Sequence, residues 1–244
     1  MRGKITFNRY KIAASLNKAC AYIVNYQNQI NSMCPKQAEA YTFVALEPYL
    51  REQAFVLMPE LKQFRKTTDV GFQNLILSFS GRNETFLEVN IGVRHHAVEE
   101  LAQQFLDNLP EFRKEANTLV VSIGKLSDTK YFRYKISCQD DIYNSAQQIM
   151  DFMNERGFRF LNESCSLASL NKIFNDKPHL PVKYLYNQIH RCFKAIIVAR
   201  MCHHPQFMDL VENYFVTLHK LGASERSLME YDRLANYLLH YCPN

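Results

Sequence analysis

Residues 71–93, GFQNLILSFSGRNETFLEVNIGV, decide the architecture. Two runs in this stretch change face at every residue. In the first, Leu75, Leu77 and Phe79 fall on one side, with Asn74, Ile76 and Ser78 on the other. In the second, Leu87, Val89, Ile91 and Val93 oppose Glu88, Asn90 and Gly92. A period of two belongs to strands that bury one face and wet the other. Ser80-Gly81-Arg82-Asn83 between them has turn chemistry. A parallel crossover would need about a dozen residues or more, so the two runs form an antiparallel hairpin.

Working outward, the period lengthens to that of helices. Ile12, Leu16, Cys20, Ile23, Gln27 and Ile30 recur at steps of three and four, an amphipathic helix over 11–31 that Met33-Cys34-Pro35 ends. A second helical pattern follows with Ala40, Phe43, Val44, Glu47 and Leu50, interrupted by Pro48, and residues 55–67 read as irregular or extended. Beyond the hairpin, Val98, Leu101, Ala102 and Phe105 make one stripe of a helix from about 96 to 106. NTLVVSIGK (117–125) and YFRYKIS (131–137), joined by the turn residues Leu126-Ser127-Asp128-Thr129, read as a second hairpin.

After residue 138 the pattern is helical. Asp140 or Asp141 caps a helix carrying Ile142, Ala146, Ile149, Met150 and Met153, which Gly157 stops. A shorter helix lies near 166–175, and Lys177-Pro178-His179-Leu180-Pro181 forms a rigid connector. Three more helices follow: one carrying Leu185 to Ile197, one opening at Pro205 and closed by Gly222, and one capped by Ser224. The expected fold is α+β: an antiparallel sheet of four or five strands in hairpins, packed with helices and followed by a helical C-terminal part. Its expected divisions are an N-terminal helix (1–35), a sheet domain (36–178) and a helical segment (179–244) packed on it as one unit.

The 244 residues are 47% hydrophobic and 22% charged, an ordinary globular composition that can bury a core without disulfide or metal staples. Seven glycines, and no G-x-x-x-x-G-K, G-x-G-x-x-G, G-x-S-x-G or H-E-x-x-H, remove the phosphate-cradle, serine-elbow and zinc-protease chemistries readable from sequence. No cofactor is expected. Seven irregularly spaced cysteines, an odd number, point to thiols rather than a secreted disulfide framework. Asn17 and Lys18 break the apolar stretch near the start, and no run reaches the ~20 apolar residues of a membrane span. A cytoplasmic protein with no membrane partner is expected.

Four groupings could carry chemistry. Arg94-His95-His96 stands where a strand gives way to a helix, a place where helix N–H groups can meet an anion. Adjacent residues of an extended segment point to opposite faces, so one pocket would receive at most one of the two imidazoles. Cys202-His203-His204 with His190 and Cys192 concentrates metal-ligand types, but residues 190 and 192 diverge by roughly 200° on a helix. The carboxylate pairs Glu99-Glu100 and Asp140-Asp141 sit where helix starts favour acids. Finally Lys62, Arg65, Lys66, Arg82, Arg94, Lys125, Lys130, Arg133 and Lys135 are interleaved with Phe64, Phe72, Tyr131 and Phe132, a mixture that single-strand binders use. Glu84, Glu88 and Asp69 share that region and the net charge is only +5, which argues against a nucleic-acid partner.

The stretch FRKTTDVGFQNLILSFSGRNETFLEVNIGV resembles the core of an uncharacterised bacterial family, a domain of unknown function whose members carry F-x-R, then Q-x-I-x-L-Q-x-S, then F-T-V-N-L-G-V. Phe64, Arg65, Gln73, Leu75, Leu77, Ser80, Phe86, Val89, Asn90, Ile91, Gly92 and Val93 take those places. The segment 140–170 is similar to that family's helix, G-L-P-F-L-E and second helix; Phe158 and Phe160-Leu161 match, with Arg159 where proline is frequent. The likeness spans roughly residues 40–180 and its motifs are structural. It implies an α+β fold and, by analogy, an immunity or interaction role beside toxin genes.

The preferred expectation is therefore a non-catalytic binding protein with a protein partner, using the polar sheet face of Asn74, Ser78, Glu88, Asn90 and Arg133. The rival is a hydrolase or nuclease centred on Arg94, His95 and His96. A third reading is weak nucleic-acid binding through the basic and aromatic sheet residues.

Overall fold

The structure is a computed structural model and describes residues 33–242. The expected helix over 11–31, and with it nearly all of the division 1–35, lies outside the described residues. The fold is α+β. Helix α1 (Pro35–Glu52) opens it; strands β1 (Val56–Met58), β2 (Gln63–Thr68), β3 (Gly71–Ser80) and β4 (Thr85–His95) follow as an antiparallel meander. The β3–β4 register pairs Ser80 with Phe86 and Gly71 with His95, the hairpin read from the alternation. Residues 55–67 resolve into β1, a single 3-10 turn and β2.

The expected second hairpin does not form. Strands β5 (Leu119–Ser122) and β6 (Tyr134–Ile136) do not pair with each other; both pair antiparallel with β4 and run in the same direction. They are one strand position, interrupted. Ser122 faces Asn90 and Tyr134 faces Leu87, so twelve residues on this side correspond to three on β4, and nine are looped out. The expected turn residues fall inside that excursion, which begins with a short helix, α4 (Ile123–Leu126). Between β4 and β5 lie α2 (His96–Ala102), shorter than the expected 96–106, and α3 (Pro110–Arg113).

Helix α5 (Gln139–Phe152) starts at Cys138 rather than at an aspartate. Asp141 acts from one turn in, accepting from the backbone N–H groups of Ser137 and Cys138 at 2.7 and 3.1 Å. Gly157 does not end the helix. Its φ of −60° and ψ of −54° are helical, and the chain passes through a π turn (Met153–Gly157) into α6 (Phe158–Glu163). A Cβ at Gly157 would stand 2.5 Å from Met153 Sδ, so the glycine serves close packing inside the turn. Helices α7 (Leu167–Asn175), α8 (Gln188–Met201), α9 (Phe207–Lys220) and α10 (Glu225–His240) complete the chain. Gly222 closes α9 at φ +69° and Ser224 caps α10, both as expected, whereas Pro205 precedes α9 by two residues instead of opening it.

Two cores result. Against the inner sheet face, Leu75, Leu77, Leu87, Val89 and Ile91 pack with Ala38, Leu46 and Leu50 of α1 and Ile142 and Ile149 of α5. The second core, from α2 and α7–α10, centres on Phe174, Phe193, Ile196, Tyr214 and Tyr231 and reaches the sheet at Leu119. Fully buried Arg191 joins the connector to this core: it donates to the carbonyls of Phe174 and Lys177 and to Tyr214 Oη. Among the described residues no helix is long and apolar enough to cross a membrane.

Candidate functional site

The outer sheet face divides into two halves. Near the α2 end it is covered. Phe72, Asn74, Gly92 and Arg94 share this face, and residues 113–118 lie over them. Arg94 donates to the carbonyls of Arg113 (3.0 Å) and Ala116 (2.6 Å), and Arg65, stacked over the Phe72 ring at 3.8 Å, forms an ion pair with Glu115. The amide oxygens of Asn74 and Asn117 occupy the space that a Cβ on Gly92 would need, 2.5 and 2.8 Å away. Asn74, expected on the wet face, is 1% exposed and donates to Gln63 Oε1 at 2.7 Å. The alternation is as expected; water on this half is not.

Arg94, His95 and His96 have separate surroundings. Arg94 is spent on the covering loop. His95 is 6% exposed, its N–H bound to Thr118 Oγ1, and burial holds its imidazole below the ordinary range. His96 is exposed and accepts from Arg94 Nε at 3.2 Å. The carboxylate one turn along, Glu99, is fully buried. Its Oε2 accepts from Gln103, and its Oε1 forms an ion pair with Lys194 Nζ at 2.8 Å. Lys194 in turn donates to the Asn117 carbonyl at 2.7 Å. An imidazole and a carboxylate are thus neighbours, but both are packed, and the carboxylate is committed to holding the cover. Near the other histidine-rich grouping, Cys192 is buried in the second core and its thiol is pushed up to about 12 by burial.

No described residue covers the other half of the outer face. Ser78 is exposed, and Glu88 and Asn90 are half-buried beside the break between β5 and β6. The looped-out segment rises next to them and, with the chain at 183–186, encloses a cleft of about 680 Å3, a volume within the usual range of ligand sites. Four cations line it, Lys125, Lys130, Arg133 and Lys183, with the carboxylates Glu88 and Asp128 and the rings of Tyr131, Phe132 and Tyr186. Arg133 pairs with Glu88 at 3.3 Å and Lys183 with Asp128 at 2.6 Å. Hydrogen bonding from Lys183 holds the Asp128 carboxyl below the usual carboxylate range. Lys125 stands 5.1 Å above the Tyr186 ring, a cation–π contact.

Local chemistry shapes this segment. Ser122 caps α4 by accepting from Lys125 N–H at 3.1 Å, and Thr129 N–H closes the loop onto the Gly124 carbonyl at 2.8 Å. Only glycine fits at 124, where a Cβ would meet Phe132 Cβ at 2.4 Å. Phe132 is anchored edge-on against Tyr134, 4.9 Å between centroids. Tyr131 is not anchored: it is 96% exposed and adopts φ +55°, and Asp128 adopts φ +60°. Left-handed backbone at a bulky side chain costs about 1 kcal/mol or more. On the far side, Tyr186 Oη accepts from Ser122 N–H and donates to Asn90 Oδ1, both at 3.0 Å, which fastens the cleft wall to the sheet.

Of the expected site residues, Glu88 and Arg133 line the cleft, Asn90 braces it and Ser78 lies opposite Glu88 in the ladder. Asn74, Arg94 and His95 are buried in or under the covered half. Lys183, Tyr186 and Asp128 were not among the expected site residues. Nothing in the sequence places 183–186 beside Ser122, since Leu185 reads as the start of a helix that in the structure begins only at Gln188, although the left-handed Asp128 sits in a turn-forming Ser-Asp-Thr run. No family model, curated protein or solved structure matches the chain.

Proposed function

We propose that this chain is a non-catalytic binding protein whose partner is another protein, and that the open half of the outer sheet face, with the cleft beside Glu88, is the contact surface. The observation that carries the reading is the nine-residue excursion in the β5–β6 strand position. Bulges re-aim side chains and gather beside functional sites. This one presents a solvent-exposed tyrosine in a costly backbone conformation, while the hydrophobic cores take nothing from Tyr131. Tyr and Arg are the residues on which protein interfaces most often turn. The likeness over residues 40–180 supports an immunity-like role by analogy. A reducing cytoplasm suits the six described cysteines, none of them paired.

The test is site-specific photocrosslinking in the source cell. A benzophenone side chain replacing Tyr131 is expected to yield a discrete protein adduct, and the same group at Met229, which is also exposed, is expected to yield none. No adduct at position 131, or the same adduct from both positions, would overturn the reading.

A further inference from the structure

We propose that the cleft takes an acidic, extended segment of the partner, an inference that rests on the binding reading above and names its chemistry. The cleft holds four cations and two carboxylates. Arg133 and Lys183 are engaged with Glu88 and Asp128. Lys125 and Lys130 have no carboxylate within ion-pair distance among the described residues, so the surplus of two positive charges is localised on them. Lys125 is half-buried on Tyr186 and Lys130 is exposed, so a ligand anion at the cleft meets one ammonium held against a ring and a second free in solvent.

The two fixed carboxylates decide between anionic polymers. A nucleic-acid strand carries a phosphate at every residue and would bring some of them against Glu88 and Asp128. An extended peptide repeats a given face about every 7 Å and carries its charges on flexible side chains rather than in its backbone. It can therefore set glutamates or aspartates on Lys125 and Lys130 and turn its other carboxylates away from the existing ion pairs, with apolar stems against Tyr131 and Phe132. Such a contact is steered by charge and weakens with added salt.

The experiment is fluorescence anisotropy on the full chain with a short fluorescein-labelled oligoglutamate, alongside oligolysine and oligothymidylate of equal length. Oligoglutamate is expected to bind, with affinity falling as salt is raised. The double variant Lys125→Glu/Lys130→Glu should weaken it roughly tenfold or more. The equally charged control Lys172→Glu/Lys220→Glu, at exposed positions on α7 and α9, should change it by no more than about twofold. Circular dichroism and urea midpoints matched to the parent chain establish that both variants fold. Absence of oligoglutamate binding, tighter binding of oligothymidylate, or an unaltered affinity in the Lys125/Lys130 variant would overturn the inference. The two proposals fail separately. An adduct from position 131 without oligoglutamate binding removes the acidic-segment inference and leaves the binding reading. Oligoglutamate binding without an adduct leaves an anion site and removes the protein partner.

Discussion

The two halves of the outer sheet face begin from the same sequence pattern and end in opposite environments. Phe72, Asn74, Gly92 and Arg94 alternate with core residues as regularly as Ser78, Glu88 and Asn90 do. Yet the first group is buried under residues 113–118, and the second faces water and the cleft. What separates them is a remote segment. Where the cover lies, polar side chains are internal parts that satisfy loop carbonyls and each other. Where no described residue forms a cover, a neighbouring strand is broken open and its excursion supplies cations and rings. A polar residue on a strand is evidence of a wet surface only if nothing else in the chain claims that surface.

The contrast can be broken most severely at the pair that holds the cover. Glu99 and Lys194 are 0% and 3% exposed in their side chains, and Lys194 also binds the Asn117 carbonyl. Removing one partner strands a buried charge, so Glu99→Gln or Lys194→Met should cost about 3–5 kcal/mol in urea unfolding. The double replacement by apolar residues should cost less than either single one. A loss under about 1 kcal/mol for either single change would mean that the pair is hydrated and the cover loose.

Arg94→Met comes next. It deprives the carbonyls of Arg113 and Ala116 of their donor, at about 2–3 kcal/mol for charge-assisted bonds lost in a buried place. Hydrogen exchange should rise across 113–118 while that of α9 and α10 stays as it was. Gly92→Ala follows at about 1–3 kcal/mol, because the new methyl would displace the Asn74 and Asn117 amides.

How far the sequence reaches is clear from these residues. The β3–β4 hairpin, the helix start at Ser224 and the stop at Gly222 were legible, because each depends on local chemistry: period, side-chain capping, φ above zero. The second hairpin was misread because β-branched runs around a turn fit two arrangements equally well. Whether β6 pairs with β5 or follows it along β4 depends on contacts made elsewhere, among them Phe132 on Tyr134 and Tyr186 on Ser122. Gly157 was misread for a similar reason, since its lack of a side chain serves Met153 rather than a left-handed cap. Half of the candidate site was legible. Glu88, Asn90 and Arg133 stood out as polar strand residues, whereas Lys183 and Tyr186 come from the segment between α7 and α8, whose position no local pattern encodes.

A change of pH probes the second core, from which the cover is held. His190 is pushed down to about 4 from the ordinary imidazole value of 6.5, first by burial and then by Lys194. Its folded pKa is the lower one, so the unfolded chain binds a proton in the window between them and the folded chain does not. Stability should therefore fall as pH drops from about 6.5 towards 4, by up to about 1.4 kcal/mol per pH unit from this group. His190→Gln should flatten that slope in urea titrations taken at several pH values.

The smallest expected effect belongs to the open half, and it is the one on which the comparison turns. Arg133 and Glu88 are 52% and 33% exposed in their side chains, an ion pair in contact with water. Such pairs contribute about 0–1 kcal/mol, so Arg133→Met should lower stability by no more than that, and Ser78→Ala by about 0.5 kcal/mol or less. Arg133→Met should nonetheless reduce the yield of any adduct formed at Tyr131, because both residues line one cleft. A stability loss above about 2 kcal/mol would show that this half is packed like the other, and that the excursion serves the fold rather than a partner.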